Sequence, residues 1–231
     1  MKKLENIKKV VFKANKDLVD KRLVIQSFGN VSERYNEKCI IKPSGIEIYK
    51  TDFSTMVPVN IDDGSYNGSF KPSSDTPTHI ELYKKFSKIQ SVAHTHSIFA
   101  TSWSQSGLSI PCLGTTHADY WEKEIPITRS LTKKEIETGY EKNTGLVIVE
   151  TLSKLRMDPL FCPGILVKNH GVFSWGESSL DAVNNAELIE YIAEMAYRSK
   201  RINSKIKPIN KDLHRKHFNR KHGDDKYYGQ K

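Results

Sequence analysis

Residues 91–97 read SVAHTHS and close a short apolar run, IQSVA. Two of the chain's eight histidines stand there one residue apart. The run predicts a strand, and side chains at i and i+2 of a strand share a face. His94 and His96 are therefore expected side by side, a geometry that suits two imidazoles converging on one cation. A surface pair, or polar packing in a core, is the alternative. Upstream, KPSSDTPTHIELYKKF (71–86) predicts a helix with Thr76 as its N-cap and Pro77 in the first helical position. Downstream, IFATSWSQSG (98–107) predicts a second, short helix.

The same helix–strand alternation extends outward. The N-terminal residues MKKLENIKKVVFKANKDL predict a helix that buries Leu4, Ile7, Val10, Val11 and Leu18. LVIQSFGNVSERY (23–35) reads as a strand broken by a Gly-Asn turn, and CIIKPSG (39–45) as a strand ending in a Pro-Ser-Gly loop. STMVPVNIDDGSYNG (54–68) reads as a third strand closed by a turn. LSIPCLGTTHADY (108–120) reads as a strand running into a polar loop. The segment 131–155 opens with a Thr132…Glu135 capping box and predicts a helix. GILVKNHGVFSWG (164–176) predicts two strands around an Asn-His-Gly turn. Residues 179–202 carry the strongest helical pattern, with Val183, Ala186, Ile189, Ala193 and Ala196 on one side. The expectation is one α/β domain over 1–231, with helices covering a mixed, largely antiparallel sheet. A parallel doubly wound sheet lacks its regular βαβ spacing and any GxGxxG.

Composition removes several function classes. No stretch approaches the roughly 20 apolar residues of a membrane span, so no membrane partner is expected. Cys39, Cys112 and Cys162 are odd in number, far apart and in no CxxC pair, which favours a reducing cytoplasm over disulfides or a thiolate zinc site. The net charge of +9 invites nucleic acid, but the lysines are interleaved with acids and no nucleic-acid module is visible. No nucleic-acid partner is expected.

Asp75, His79 and His170 are the further positions that could complete a metal site around His94 and His96. Three histidines and a carboxylate suit zinc or another divalent first-row metal. Singly, each has a plainer reading as a helix-capping acid, a helix-surface residue or a turn residue.

KPSG, SSDTPTH, HTHS, GTTHADY, the His-Gly at 170–171 and the terminal KHGDDKYYGQ, taken together, resemble the class II aldolase family of metal-dependent sugar-phosphate enzymes. The resemblance spans nearly the whole chain. It implies a three-layer α/β/α fold and one Zn2+ per subunit, with Mn2+ or Co2+ as alternatives, held by Asp75, His94, His96 and His170. It places a substrate phosphate among Gly29, Asn30, Lys42, Ser44, Gly45, Ser73, Ser74 and Thr115, with His217 and Arg220 nearby. Several of these are small residues in turns, where backbone N–H groups can approach a dianion, and Ser73 and Ser74 precede a helix N-terminus.

The implied substrate is a pentulose 5-phosphate, epimerised at C4 by retro-aldol cleavage of C3–C4, rotation of the aldehyde and re-addition. Asp119 and Tyr228 are implied as proton carriers. The resemblance also implies a homotetramer in which a C-terminal tail, about residues 208–231, reaches the active site of a neighbouring subunit. A class II aldolase that releases both fragments is the nearest alternative. Aldolases of this group typically carry glutamate where this chain has Asp75. Members of the fold that lack metal ligands act as scaffolds, but here all four ligand positions are filled.

Overall fold

Alternation along two central strands sets the layers in the computed structural model, which describes residues 2–224 and 226–229. The strands are β1 (Asn30–Tyr35), β2 (Lys38–Ile41), β3 (Val57–Asn60), β4 (Ser91–Thr95), β5 (Gly164–Val167) and β6 (Gly171–Gly176). They form one sheet in the order β3-β2-β1-β4-β6-β5, with every ladder antiparallel. A single parallel pairing, Ile127 with Leu166, extends the β5 edge.

Val31 of β1 and Ala93 of β4 pack against Ala14 and Leu18 of α1 (Lys2–Asp20) and Ala182, Val183 and Ala186 of α6 (Ser179–Ile202). The next residue along β1, Ser32, points to the other face. Its hydroxyl meets His79 Nδ1 at 2.8 Å and Tyr83 Oη at 2.7 Å, both on α2 (Thr76–Lys85). Helix α5 (Lys133–Leu155) packs on α2, which completes an α/β/α arrangement. The apolar face expected of α6 is buried throughout, and the Thr132–Glu135 capping box is formed.

Three segments depart from the sequence reading, and a fourth holds an element that the reading did not assign. In α1, Val10 is 43% exposed while Ala14 and Asn15 are buried. Asn15 earns its depth by exchanging hydrogen bonds with both backbone groups of Val31, a role that apolar periodicity cannot signal. Residues 23–29 form turns, not a strand, because Gln26 and Gly29 take positive φ and the chain extends only from Asn30. Residues 108–120 hold no strand beyond the Ile110–Ile125 pairing and instead form α4 (Thr115–Ala118). The tail contains a helix, α7 (Lys211–His222), none of whose residues is buried. Asp225 and Gln230 of the terminal motif lie outside the described residues.

One smaller shift matters for the site. Asp75, not Thr76, occupies the N-cap position of α2, and its carboxylate makes no capping hydrogen bond. It is left to face inward.

Candidate metal centre

Three elements deliver the histidines. His94 lies on β4, opposite Asn30 of β1 and Phe173 of β6, so these three share the sheet face that looks toward α2. Strand β4 ends at Thr95, so His96 stands one residue beyond it, in the link to α3 (Ile98–Ser106). The expectation of two histidines on one strand face is thereby corrected, yet their rings still meet. Their centroids are 4.8 Å apart and their Nε2 atoms 3.0 Å apart.

His170 comes from the β5–β6 turn, where its N–H donates to Val167 O at 3.0 Å and Asn169 has φ of 61°. Its ring lies 4.7 Å from that of His94 and 5.1 Å from that of His96. One ligand atom from each of the three falls within 4.8 Å of the others. This closeness requires Gly171, because a Cβ there would meet Thr95 O at 2.6 Å, His96 Cδ2 at 3.1 Å and His94 Cε1 at 3.3 Å.

The local chemistry fits a divalent cation. His94 Nδ1–H donates to Val172 O at 2.9 Å, which turns Nε2 toward His96. Phe173 stacks on the same ring at 4.2 Å and holds its plane. Burial, then the neighbouring rings, push His96 down to about 4 and His170 down to about 3. Both are neutral at pH 7, with lone pairs to offer, and His170 Nδ1 is buried without a hydrogen-bond partner.

Burial opposes ionisation of Asp75, but His94, His79 and the Asn30 amide outweigh it and hold the carboxyl below its ordinary value. Its Oδ2 lies 4.0 Å from His94 Nε2 and accepts from Asn30 Nδ2 at 2.7 Å. The three histidines thus form the tight group, and the carboxylate stands beside it.

A cleft of about 360 Å3 opens on this group, and Gly29, Asn30, Lys42, Ser44, Gly45, Ser73 and Ser74 line it together with Asp75 and the triad. Two loops meet there, because Ser44 N–H donates to Lys71 O and Ser73 N–H to Lys42 O. Those two N–H groups are therefore engaged between loops, and it is the serine hydroxyls and the neighbouring amides that remain for an anion. Lys42 is 4% exposed, its ammonium donates to Ser27 O and Ile46 O, and burial lowers it to about 8. Phe28, Tyr140 and Glu141 also line the cleft and were not anticipated. Tyr140 and Glu141 follow Gly139, whose φ of 145° and ψ of 73° break α5, a break that the helical pattern around it conceals.

The remaining site residues gather elsewhere. Asp119, at the end of α4, accepts from Arg220 Nε and Nη2 at 2.8 and 2.6 Å and pairs with His217 Nδ1 at 3.0 Å. Partial burial opposes its ionisation, but these two partners hold its carboxyl below the usual range. The Tyr228 ring covers the Arg220 guanidinium at 4.4 Å, whereas Tyr227 lies over Lys216. Among the described residues, Thr115, Asp119, His217, Arg220 and Tyr228 do not line the metal cleft of their own chain. Arg220, expected toward the phosphate, has its fork on Asp119.

The family described as Class II Aldolase and Adducin N-terminal domain matches residues 9–197. The chain belongs to that family. It is 46% identical over 230 residues to the L-ribulose-5-phosphate 4-epimerase UlaF of Salmonella paratyphi C (strain RKS4594), covering 99% of this chain and 100% of the relative. The same identity and coverage hold for the protein of that name from Salmonella choleraesuis (strain SC-B67). Among solved structures, an L-fuculose 1-phosphate aldolase superposes with a TM-score of 0.76 at 21% identity, over 92% of this chain and 94% of that one. The L-fuculose 1-phosphate aldolase from Glaciozyma antarctica PI12 gives a TM-score of 0.74 at 14% identity, over 93% and 80%.

Class II aldolases are metal-dependent, and among the described residues of this member the histidine triad is a group that could hold such an ion. The family match stops before α7, so His217, Arg220 and Tyr228 lie outside it but within the full-length likeness to the epimerases. No helix among the described residues is long and apolar enough to cross a membrane.

Proposed function

We propose that the chain interconverts L-ribulose 5-phosphate and D-xylulose 5-phosphate as a metal-dependent 4-epimerase. The observation that carries this reading is the 46% identity to epimerases over both full lengths, tail included. Asp75, in place of the glutamate typical of the aldolases, points the same way.

In this reading His94, His96, His170 and Asp75 hold zinc, with manganese and cobalt as alternatives suited to the same donors. A divalent cation there supplies Lewis-acid stabilisation of the negative charge left on the ketose fragment by C3–C4 scission. The C4 hydrogen of a ketose phosphate is not acidic, so cleaving and remaking the neighbouring bond is the easier route to inversion. One carrier accepts the proton of the C4 hydroxyl as C3–C4 breaks to the enediolate of dihydroxyacetone and glycolaldehyde phosphate. The aldehyde turns over, the enediolate carbon adds to its other face, and a second carrier returns a proton to the new alkoxide.

Asp119 and Tyr228 serve the two faces. Asp119 is ionised at neutral pH and can accept; the Tyr228 hydroxyl can donate. The cradle of Gly29, Asn30, Lys42, Ser44, Gly45, Ser73 and Ser74 keeps the phosphate fixed while the carbonyl turns, a positioning role. Lys42, driven to about 8, still carries its charge at pH 7.

The separation of Asp119 and Tyr228 from the cleft of their own chain supports an active site composed from two copies, within a homotetramer. Three buried free thiols fit a reducing cytoplasm, in the breakdown of L-arabinose or L-ascorbate.

Metal-loaded protein incubated with L-ribulose 5-phosphate should form D-xylulose 5-phosphate. Formation of free glycolaldehyde phosphate and dihydroxyacetone alone would instead identify an aldolase.

A further inference from the structure

Phe28 has no part in the chemistry above, yet it stands inside the site. It is 53% exposed and lines a cleft whose other side chains, Tyr140 apart, are polar. Its ring lies nearly parallel to that of His96, at 15° with centroids 6.0 Å apart. The loop that carries it is fixed: Lys42 Nζ donates to Ser27 O at 2.8 Å, and Phe28 N–H donates to Ile25 O at 3.1 Å. The next residue, Gly29, opens the phosphate cradle. The phenyl ring therefore bridges the two ends of the site, with the anion-binding loops on one side and a histidine of the triad on the other. Tyr140 flanks the triad at a different histidine, its ring 5.8 Å from that of His170.

We propose that Phe28 is the retaining wall for the aldehyde fragment, and so a specificity residue for epimerisation over cleavage. The proposal rests on the epimerase reading. After C3–C4 breaks, glycolaldehyde phosphate is tied to the protein by its phosphate alone. To give the other epimer its carbonyl must turn over, and to give any epimer it must stay. A polar wall would pin one orientation by hydrogen bonding. An apolar plane beside C4 and C5 favours neither orientation, keeps water from the reacting carbon and obstructs departure.

The test uses full-length, metal-loaded protein with Phe28→Ala and Phe28→Trp. Covering about 50 Å2 of apolar surface changes an affinity by about tenfold. Phe28→Ala should thus raise the share of turnovers that release glycolaldehyde phosphate and dihydroxyacetone about tenfold. It should weaken binding of added glycolaldehyde phosphate by a similar factor. Affinity for inorganic phosphate and the bound metal should be unchanged, and Phe28→Trp should keep the parental partition. An alanine variant with the parental partition, whatever its rate, overturns the proposal. So does one that weakens inorganic phosphate and glycolaldehyde phosphate alike, which would make Phe28 part of the phosphate cradle. A parent protein that releases fragments and forms no D-xylulose 5-phosphate overturns the epimerase reading itself, and is recognised without any variant.

Discussion

Gly171→Ala should separate metal binding from stability. The added methyl would sit 2.6 Å from Thr95 O, about 0.8 Å inside ordinary contact, and would press on His96 Cδ2 at 3.1 Å and His94 Cε1 at 3.3 Å. Thr95 O belongs to the backbone of a central strand, so the rings and the 168–171 turn must give way first. Inserting one methyl group into a packed region costs about 1–3 kcal/mol of stability. The rings lose more in proportion, because the triad works only while its nitrogens share a centre. Disturbing the supports of metal ligands typically costs about 10–100-fold in affinity. The expected outcome is therefore a protein that still folds, with a moderately lower urea midpoint, and binds Zn2+ at least tenfold more weakly in chelator competition. An alanine variant with parental metal affinity would refute the claim that the bare Cα of Gly171 lets the triad close.

Further outcomes follow from the same geometry. His96→Asn should lower metal affinity by more than about 100-fold, beyond the effect of disturbing a support, and metal content after dialysis checks this. Tyr228→Phe should reduce kcat by about 10²- to 10⁴-fold, the worth of a proton carrier, with bound metal unchanged by elemental analysis. The metal-free protein should lose stability in acid: His79 and His117, ordinarily near 6.5, are driven by burial to about 3 and about 4. The unfolded chain then takes up protons that the folded chain refuses. Stability is complete above about pH 6.5 and falls as pH drops toward 4, by up to about 1.4 kcal/mol per unit for each ring. Urea midpoints at pH 7, 5.5 and 4.5 that did not move would contradict this.

Elements with an apolar face against the sheet were legible in the sequence, because burial on one side leaves a period. Val183, Ala186, Ile189, Ala193 and Ala196 mark α6, and the strands flanking the Asn-His-Gly turn are found where expected. The loop at 23–29 was misread because its Leu-Val-Ile run looks like a strand, whereas positive φ at Gln26 and Gly29 is a backbone property that composition signals weakly. The triad was legible through residue type and spacing, although the spacing argument was right for a reason only half true. His96 leaves the strand and returns to its partner through the turn into α3, whose first amides are held by the Glu190 carboxylate, accepting from Phe99 N and Ala100 N.

The tail shows most clearly where pattern reading stops. Helix α7 has no buried residue, so it carries no stripe by which periodicity could find it. It is tied down by single polar contacts at irregular spacing. Ile209 N–H donates to Cys112 O, His214 Nε2 meets Trp121 O, and His222 Nε2 meets Asp119 O. Arg220 grips the Asp119 carboxylate with two nitrogens. Each contact pairs the tail with a residue about 90 to 100 positions earlier, and nothing local in either segment announces the other. A basic helix of this kind reads as solvated charge until its acceptors are known. Here those acceptors cluster on the residues flanking α4, from Cys112 before it to Asp119 and Trp121 after it, so the docking of the tail and the setting of Asp119 are one and the same arrangement.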